Sequence, residues 1–211
     1  FRTFRGFGKR QWDAPGKDHV VAELSKVRKL LRHIATGLDR GDIVAIDVET
    51  LNGVDRLNNS IISIAFSWDG VNGYSIPLDH PKSPWTAEEF LLIKKWLRRL
   101  FTKPVSFGYW LAHNTKFELQ QLHLYLGVWA RNRPWLDTML IAFLLDENRL
   151  SMSKQMKPFN LKQLSAEELN LPYDESSLAE IIGARDEGQI QKLPWRSVCR
   201  YNSVDAWRTR R

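Results

Sequence analysis

The run Ile43-Val44-Ala45-Ile46-Asp47-Val48-Glu49-Thr50 constrains this chain more than any other stretch. Its opening residues are apolar and mainly β-branched, and they predict a buried strand over 43–49. Strand side chains alternate faces, so Asp47 and Glu49 point the same way. Two carboxylates on one face repel each other unless a cation sits between them. A hard divalent ion with oxygen ligands, Mg²⁺ or Mn²⁺, is the natural neutraliser. A pair of solvated acids at a strand exit is the competing account of the same triplet.

Around that strand the pattern is α/β. Helical periodicity predicts a helix over 19–37, built on Val20, Val21, Leu24, Val27, Leu30, Leu31 and Ile34, and Gly41-Asp42 ends it. Alternating and β-branched runs predict strands at 61–68 and 73–77, with Asp69-Gly70 as the turn between them. Strands 43–49, 61–68 and 73–77 read as an antiparallel meander. Thr86 caps a helix over 87–101, and a strand near 105–111 hands over to a helix from about 114 to 126. A short strand at 135–136 leads to Asp137, which opens a helix over 138–147 as its N-cap or serves the site as a nearby acid. Residues 148–158 read as a loop whose Lys154 and Lys157 are candidate strand contacts. Shorter helices follow within 160–183, one from Asn160 and one near Ser176, and the last helix begins at Pro194. A meander followed by strands alternating with helices predicts a mixed sheet flanked by helices.

The chain has 211 residues, 31 Lys+Arg against 24 Asp+Glu, and a net charge of +7. An excess of that size favours a polyanionic partner such as nucleic acid. A single cysteine, Cys199, rules out an internal disulfide, argues against a cysteine-based zinc site and fits a reducing compartment. No apolar run approaches the length of a membrane span, and no apolar stretch of signal-peptide type follows Phe1. The absence of an initial Met and the basic end at Arg211 lead to the expectation of a fragment of a longer chain. Residues 1–40 read as a basic arm and a helix, and 41–211 as the functional domain.

Two further acidic groups can meet Asp47 and Glu49. Leu111-Ala112-His113-Asn114-Thr115-Lys116-Phe117-Glu118 lies where a strand becomes a helix, with Glu118 in the first turns, where the helix dipole favours an acid. Tyr201 and Asp205 are four apart on the last helix and share a face.

These motifs in this order, Asp-x-Glu, His-Asn-x-x-Phe-acid and Tyr-x-x-x-Asp, resemble the 3′–5′ exonuclease domain of family A DNA polymerases. More broadly they resemble DnaQ-like, ribonuclease H-like exonucleases of the tyrosine (DEDDy) subtype. Trp135-Leu136-Asp137-Thr138-Met139-Leu140 and Asn160-Leu161-Lys162-Gln163-Leu164 are similar to intermediate segments of that family. The resemblance covers about residues 40–211. It implies a ribonuclease H-like mixed sheet and two divalent ions, Mg²⁺ or Mn²⁺, held by Asp47, Glu49, Glu118 and Asp205. It implies that Tyr201 orients the attacking water, and that the product is a nucleoside 5′-monophosphate from a single-stranded DNA 3′ end. It further implies proofreading beside a covalently linked polymerase domain, in the cytoplasm of a bacterial or phage-infected cell. Thr50, Leu51, Asn114 and Phe117 would contact the strand. Leu51 and Phe117 serve equally as packing residues, and Asn114 equally as a helix cap.

Glu118 departs from the family, which carries Asp there. Glu is one methylene longer and ligates Mg²⁺ directly or through water, so the substitution either keeps activity or alters metal use. Two alternatives to the polymerase context remain: a stand-alone or ribonuclease D-like exonuclease acting on RNA, and a nucleic-acid-binding module without catalysis.

Overall fold

The structure, a computed structural model, describes residues 17–51, 60–104, 107–149, 158–171, 190 and 192–211. In chain order the elements are β1 (Lys17–Val20), α1 (Leu24–Arg40), β2 (Ile43–Thr50), β3 (Ile61–Ser67), β4 (Asn72–Pro77), α2 (Ala87–Thr102), β5 (Tyr109–Ala112), α3 (Thr115–Leu126), β6 (Trp135–Asp137), α4 (Thr138–Leu145), α5 (Leu161–Glu168) and α6 (Trp195–Arg210). The six strands form one mixed sheet in the order β1-β4-β3-β2-β5-β6. β2, β3 and β4 are the antiparallel meander, while β5 and β6 continue the sheet in parallel beyond β2.

β2 sits inside the sheet, and its alternation sets the layers. Val44, Ile46 and Val48 are buried in one cluster with Val27, Leu30 and Ile34 of α1 and Ile93, Leu97 and Phe101 of α2. Asp47 and Glu49 therefore face away from α1 and α2, toward α6, which crosses β2, β3 and β4 on the other side. Thr86 begins α2 with a reciprocal cap: its hydroxyl accepts from the Glu89 N–H at 3.2 Å, and the Glu89 carboxylate accepts from the Thr86 N–H at 3.0 Å.

The first helix differs from expectation. Residues 17–20 form an edge strand paired in parallel with β4, and α1 runs from Leu24 to Arg40 before Gly41 stops it with φ of 104°. Val20 and Val21 suit either periodicity, and the free edge of β4 decides for the strand. Trp110 is fully buried, and Trp96 and Trp135 are half-buried against the core cluster. Trp129 is instead exposed, stacked on His123 with ring centroids 3.9 Å apart. Lys154, Lys157 and the helix near Ser176 lie outside the described residues. Among the described residues no helix is long and apolar enough to cross a membrane.

One glycine seats α6. A Cβ at Gly73 of β4 would lie 1.9 Å from the Ser203 carbonyl oxygen and 2.7 Å from its carbonyl carbon, both backbone atoms of α6. Only a residue without Cβ lets the helix approach this closely. Gly73→Ala is expected to lower unfolding stability by about 3 kcal/mol, the upper range for overpacking, and to displace the helix that carries Tyr201 and Asp205. An unchanged denaturant midpoint would show that α6 is not held against β4.

Candidate metal centre

At its end β2 loses regular register with β3: Glu49 pairs with Ser63, but Thr50 pairs with Ile61. The irregularity lies beside the two acids, a common place for a bulge that re-aims side chains. From the far side α6 brings Tyr201, Asn202 and Asp205 over the sheet. Asp47, Glu49 and Asp205 each place one carboxylate oxygen so that all lie within 4.8 Å of one another. Asp205 is buried, and Asp47 and Glu49 are half-buried.

Glu118 approaches from α3. Its side chain is buried, at 2% exposure, and its Oε2 has no hydrogen-bond partner among the described residues. It lies outside the three-carboxylate group yet feels the Asp47 charge. Burial, then Asp47, pushes the Glu118 carboxyl well above the usual range. Burial and then the Asp205 charge do the same to Asp47, with the Asn202 bond opposing, and burial with Asp47 and Asp205 does it to Glu49, with Lys162 opposing. The Tyr201 phenol is pushed far up, first by burial and then by the Asp205 charge. Tyr201 therefore stays a donor through the neutral range and cannot act as a base there.

Three gathered carboxyls, with Glu118 within reach of their charge, thus stand against the cations Lys162 and Arg208. Lys162 stands 5.2 Å from the Tyr201 ring centroid, and Arg208 donates to Asp205 at 3.0 Å. The surplus is negative, desolvated and oxygen-only, and one buried carboxylate oxygen lacks a donor. That donor set fits hard divalent cations of the Mg²⁺ or Mn²⁺ kind.

Three contacts were not foreseen. Asn202 Nδ2 donates to Asp47 Oδ2 at 2.6 Å, while its Oδ1 accepts from the Ser75 hydroxyl at 3.3 Å, tying β4, α6 and β2 through one fully buried amide. The fork fixes the amide orientation and engages Asp47 Oδ2, leaving Oδ1 outside this bond. Asn202→Ala is expected to weaken metal binding about 10–100-fold, the usual loss when a ligand's orienting partner goes. Calorimetric titration with Mn²⁺ checks it, and unchanged affinity would make the bond incidental. Arg208 is the second; its i+3 spacing from Asp205 was a signal available in the sequence. The third is the reach of Asp137. Its Oδ1 accepts from the N–H groups of Asn114, Met139 and Leu140, and its Oδ2 from Thr115, so one carboxylate caps both α3 and α4. Asp137 is thus an N-cap, for two helices at once.

That double cap displaces the capping expectation for Asn114. Asn114 precedes α3 at φ 71°, ψ 57°, and its side chain makes no cap bond. Asn tolerates this left-handed backbone, which is reason enough for it there. His113 is structural: its Nε2 donates to the Phe159 carbonyl and its Nδ1 accepts from the Thr138 hydroxyl, both at 2.9 Å, and burial holds its pKa down. Thr50 is buried. Leu51 is half-buried against Ile62, Leu193 and Val198 in the cluster that Tyr201 also joins, and Phe117 is half-buried against the main core.

Among solved structures, Escherichia coli RNase D, an exoribonuclease involved in structured RNA processing, matches with a TM-score of 0.58 at 15% identity, over 91% of this chain and 42% of that one. The fold is ribonuclease H-like. Trypanosoma brucei RNase D, solved in complex with RNA U12, matches with a TM-score of 0.56 at 16% identity, over 90% of this chain and 59% of that one. The Aedes aegypti Nibbler EXO domain gives 0.55 at 16% identity, over 95% of this chain and 86% of that one. The chain spans about half the length of the two RNase D chains. No protein-family profile matches the sequence. No curated protein matches it either. At these identities the likeness establishes the fold, with its mixed six-stranded sheet flanked by helices.

Proposed function

We propose that this chain is a metal-dependent 3′–5′ exonuclease acting on single-stranded 3′ ends, ribonuclease D-like in substrate, with RNA the first strand to test. The observation that carries it is the convergence of Asp47, Glu49 and Asp205, with Glu118 and Tyr201 beside them, on a fold shared with exonucleases. Asp47, Glu49, Glu118 and Asp205 would hold the divalent ions, which supply Lewis-acid polarisation of the phosphate and a more acidic water. Asn202 engages one Asp47 oxygen and leaves the other outside that bond. Tyr201, protonated, donates a hydrogen bond that orients the attacking water. Thr50, Leu51, Asn114 and Phe117 would contact the strand, with Leu51 and Phe117 offering apolar and aromatic surface to the terminal nucleotide. Such a phosphodiester hydrolysis leaves a nucleoside 5′-monophosphate.

Editing of DNA beside a polymerase is the second reading, supported by the motif set that resembles family A polymerases; the RNase D likeness favours RNA. Incubating 3′-labelled RNA and DNA single strands of the same sequence with Mg²⁺ or Mn²⁺ tests both. Mononucleotide release from the RNA strand at the higher kcat/KM is the expected result. A preference for DNA would favour editing. No release from either strand with either ion would leave a binding module without catalysis.

A further inference from the structure

The net charge of +7 is not at the candidate site, which is acidic. α1 and α2 carry nine Lys and Arg against three acids, Asp39, Glu88 and Glu89. From Leu24 to Leu38 α1 has no acid, and neither does α2 after Glu89. A solvated helix face of ordinary kind pairs its cations with acids three or four residues away; among the described cations of these helices only Lys26 does so, with Glu23 just before α1.

Between them runs a groove of about 420 Å³, lined by Arg28, Arg32, Arg99 and Lys103, with Trp96 on its wall and Leu31 and Leu100 among its apolar lining. Its one acid, Asp39, is already held by Lys103 at 2.8 Å and by the buried Arg133 at 3.1 Å. Arg28, Arg32 and Arg99 are exposed and make no ion pair or hydrogen bond among the described residues. Like charges gathered this way repel until a polyanion enters, and arginine's planar fork suits phosphate oxygens. Apolar and aromatic surface beside the cations suits nucleotides better than a purely acidic peptide.

We propose that the α1–α2 groove is a second nucleic-acid site, holding the sugar-phosphate backbone of a single strand whose 3′ end is bound at the carboxylates. It rests on the exonuclease reading for the identity of the strand. The groove lies behind the sheet, on the side of Val44 and Ile46, whereas Asp47 and Glu49 face α6. Only a strand long enough to pass round the sheet reaches both places, so the groove selects for length and supports retention of long substrates.

The test compares the unaltered protein with Arg28→Ala/Arg32→Ala/Arg99→Ala, whose side chains are exposed and whose replacements favour helix. Binding of labelled oligouridylates of 30 and of four nucleotides is measured in EDTA across salt concentrations. For the 30-mer the triple variant should lose at least about tenfold in affinity, and its salt slope should fall by about 2, near 0.7 per phosphate contact on a single strand. Binding and hydrolysis of the four-nucleotide strand should not change. The corresponding triple lysine variant should restore most of the salt slope. Unchanged affinity and slope for the 30-mer overturn the proposal, as does an equal loss on the short strand. Loss of poly-glutamate binding with the 30-mer unaffected overturns it in favour of an acidic protein partner. Absence of hydrolysis in the unaltered protein strikes the catalytic reading alone, because the binding measurement does not depend on turnover.

Discussion

Asp47→Asn is expected to abolish mononucleotide release, by about 10³-fold or more, while raising the melting temperature of the metal-free protein. Asp47 is the carboxylate on which the site converges: its charge raises both Glu49 and Glu118, and it lies in the group with Asp205. On the proposed reading, removing that charge takes away a metal ligand, a larger loss than the roughly 10²–10³ that follows deletion of a single transition-state donor. The same change relieves repulsion among buried acids, and the new amide oxygen still accepts from Asn202. In a domain of this size about 1 kcal/mol shifts the midpoint by about 2–4 °C, so a rise of a few degrees is expected. Loss of activity with a lower melting temperature would mean that Asp47 holds the fold together. Retained activity would place the chemistry elsewhere.

The opposed signs of those two effects follow from a feature that was plain in the sequence. A period-2 run ending in Asp-x-Glu can bury one face and charge the other only as an internal strand. Likewise Tyr201 and Asp205 share a face by helical spacing alone, and the Thr86 cap declares itself by Glu89 three residues on. What was not legible depends on pairing across long stretches of chain. Asn202 meets Asp47 across 155 residues, and nothing local marks it as that acid's partner. Gly73 looks like any strand glycine until the Ser203 backbone stands against it. Residues 17–20 fit the start of an amphipathic helix, and only the open edge of β4 makes them a strand. Asp137 was readable as the cap of the helix that follows it, but its simultaneous hold on α3 needs β5 and β6 side by side. Glu118 was found by motif and its burial could not be: only the packed structure leaves its Oε2 without a donor.

That buried, mutually repelling set makes the metal-free protein's stability fall as pH rises, and divalent ions should cancel the fall. Asp47, Glu49 and Glu118 are all raised in the folded state, first by burial. Unfolded carboxyls titrate near 3.9 for Asp and 4.3 for Glu. Above about pH 4 the folded state therefore holds more protons than the unfolded one, and unfolding free energy decreases with pH until the raised groups have ionised. The stabilisation is complete below the unfolded pKa values and disappears as pH climbs through the folded ones. Metal binding requires the deprotonated carboxylates, so ion-induced stabilisation grows over the same window. At a free ion concentration of 100 times Kd it amounts to about 2.7 kcal/mol, or roughly 5–10 °C in a domain of this length. Thermal melts at pH 5 to 8, in EDTA and in saturating Mn²⁺ or Mg²⁺, check the expectation. The curves should diverge as pH rises, and Asp47→Asn should narrow the divergence by removing one of the three raised acids. Melting temperatures that coincide with and without ions at every pH would show that these carboxyls, though gathered, do not hold a metal.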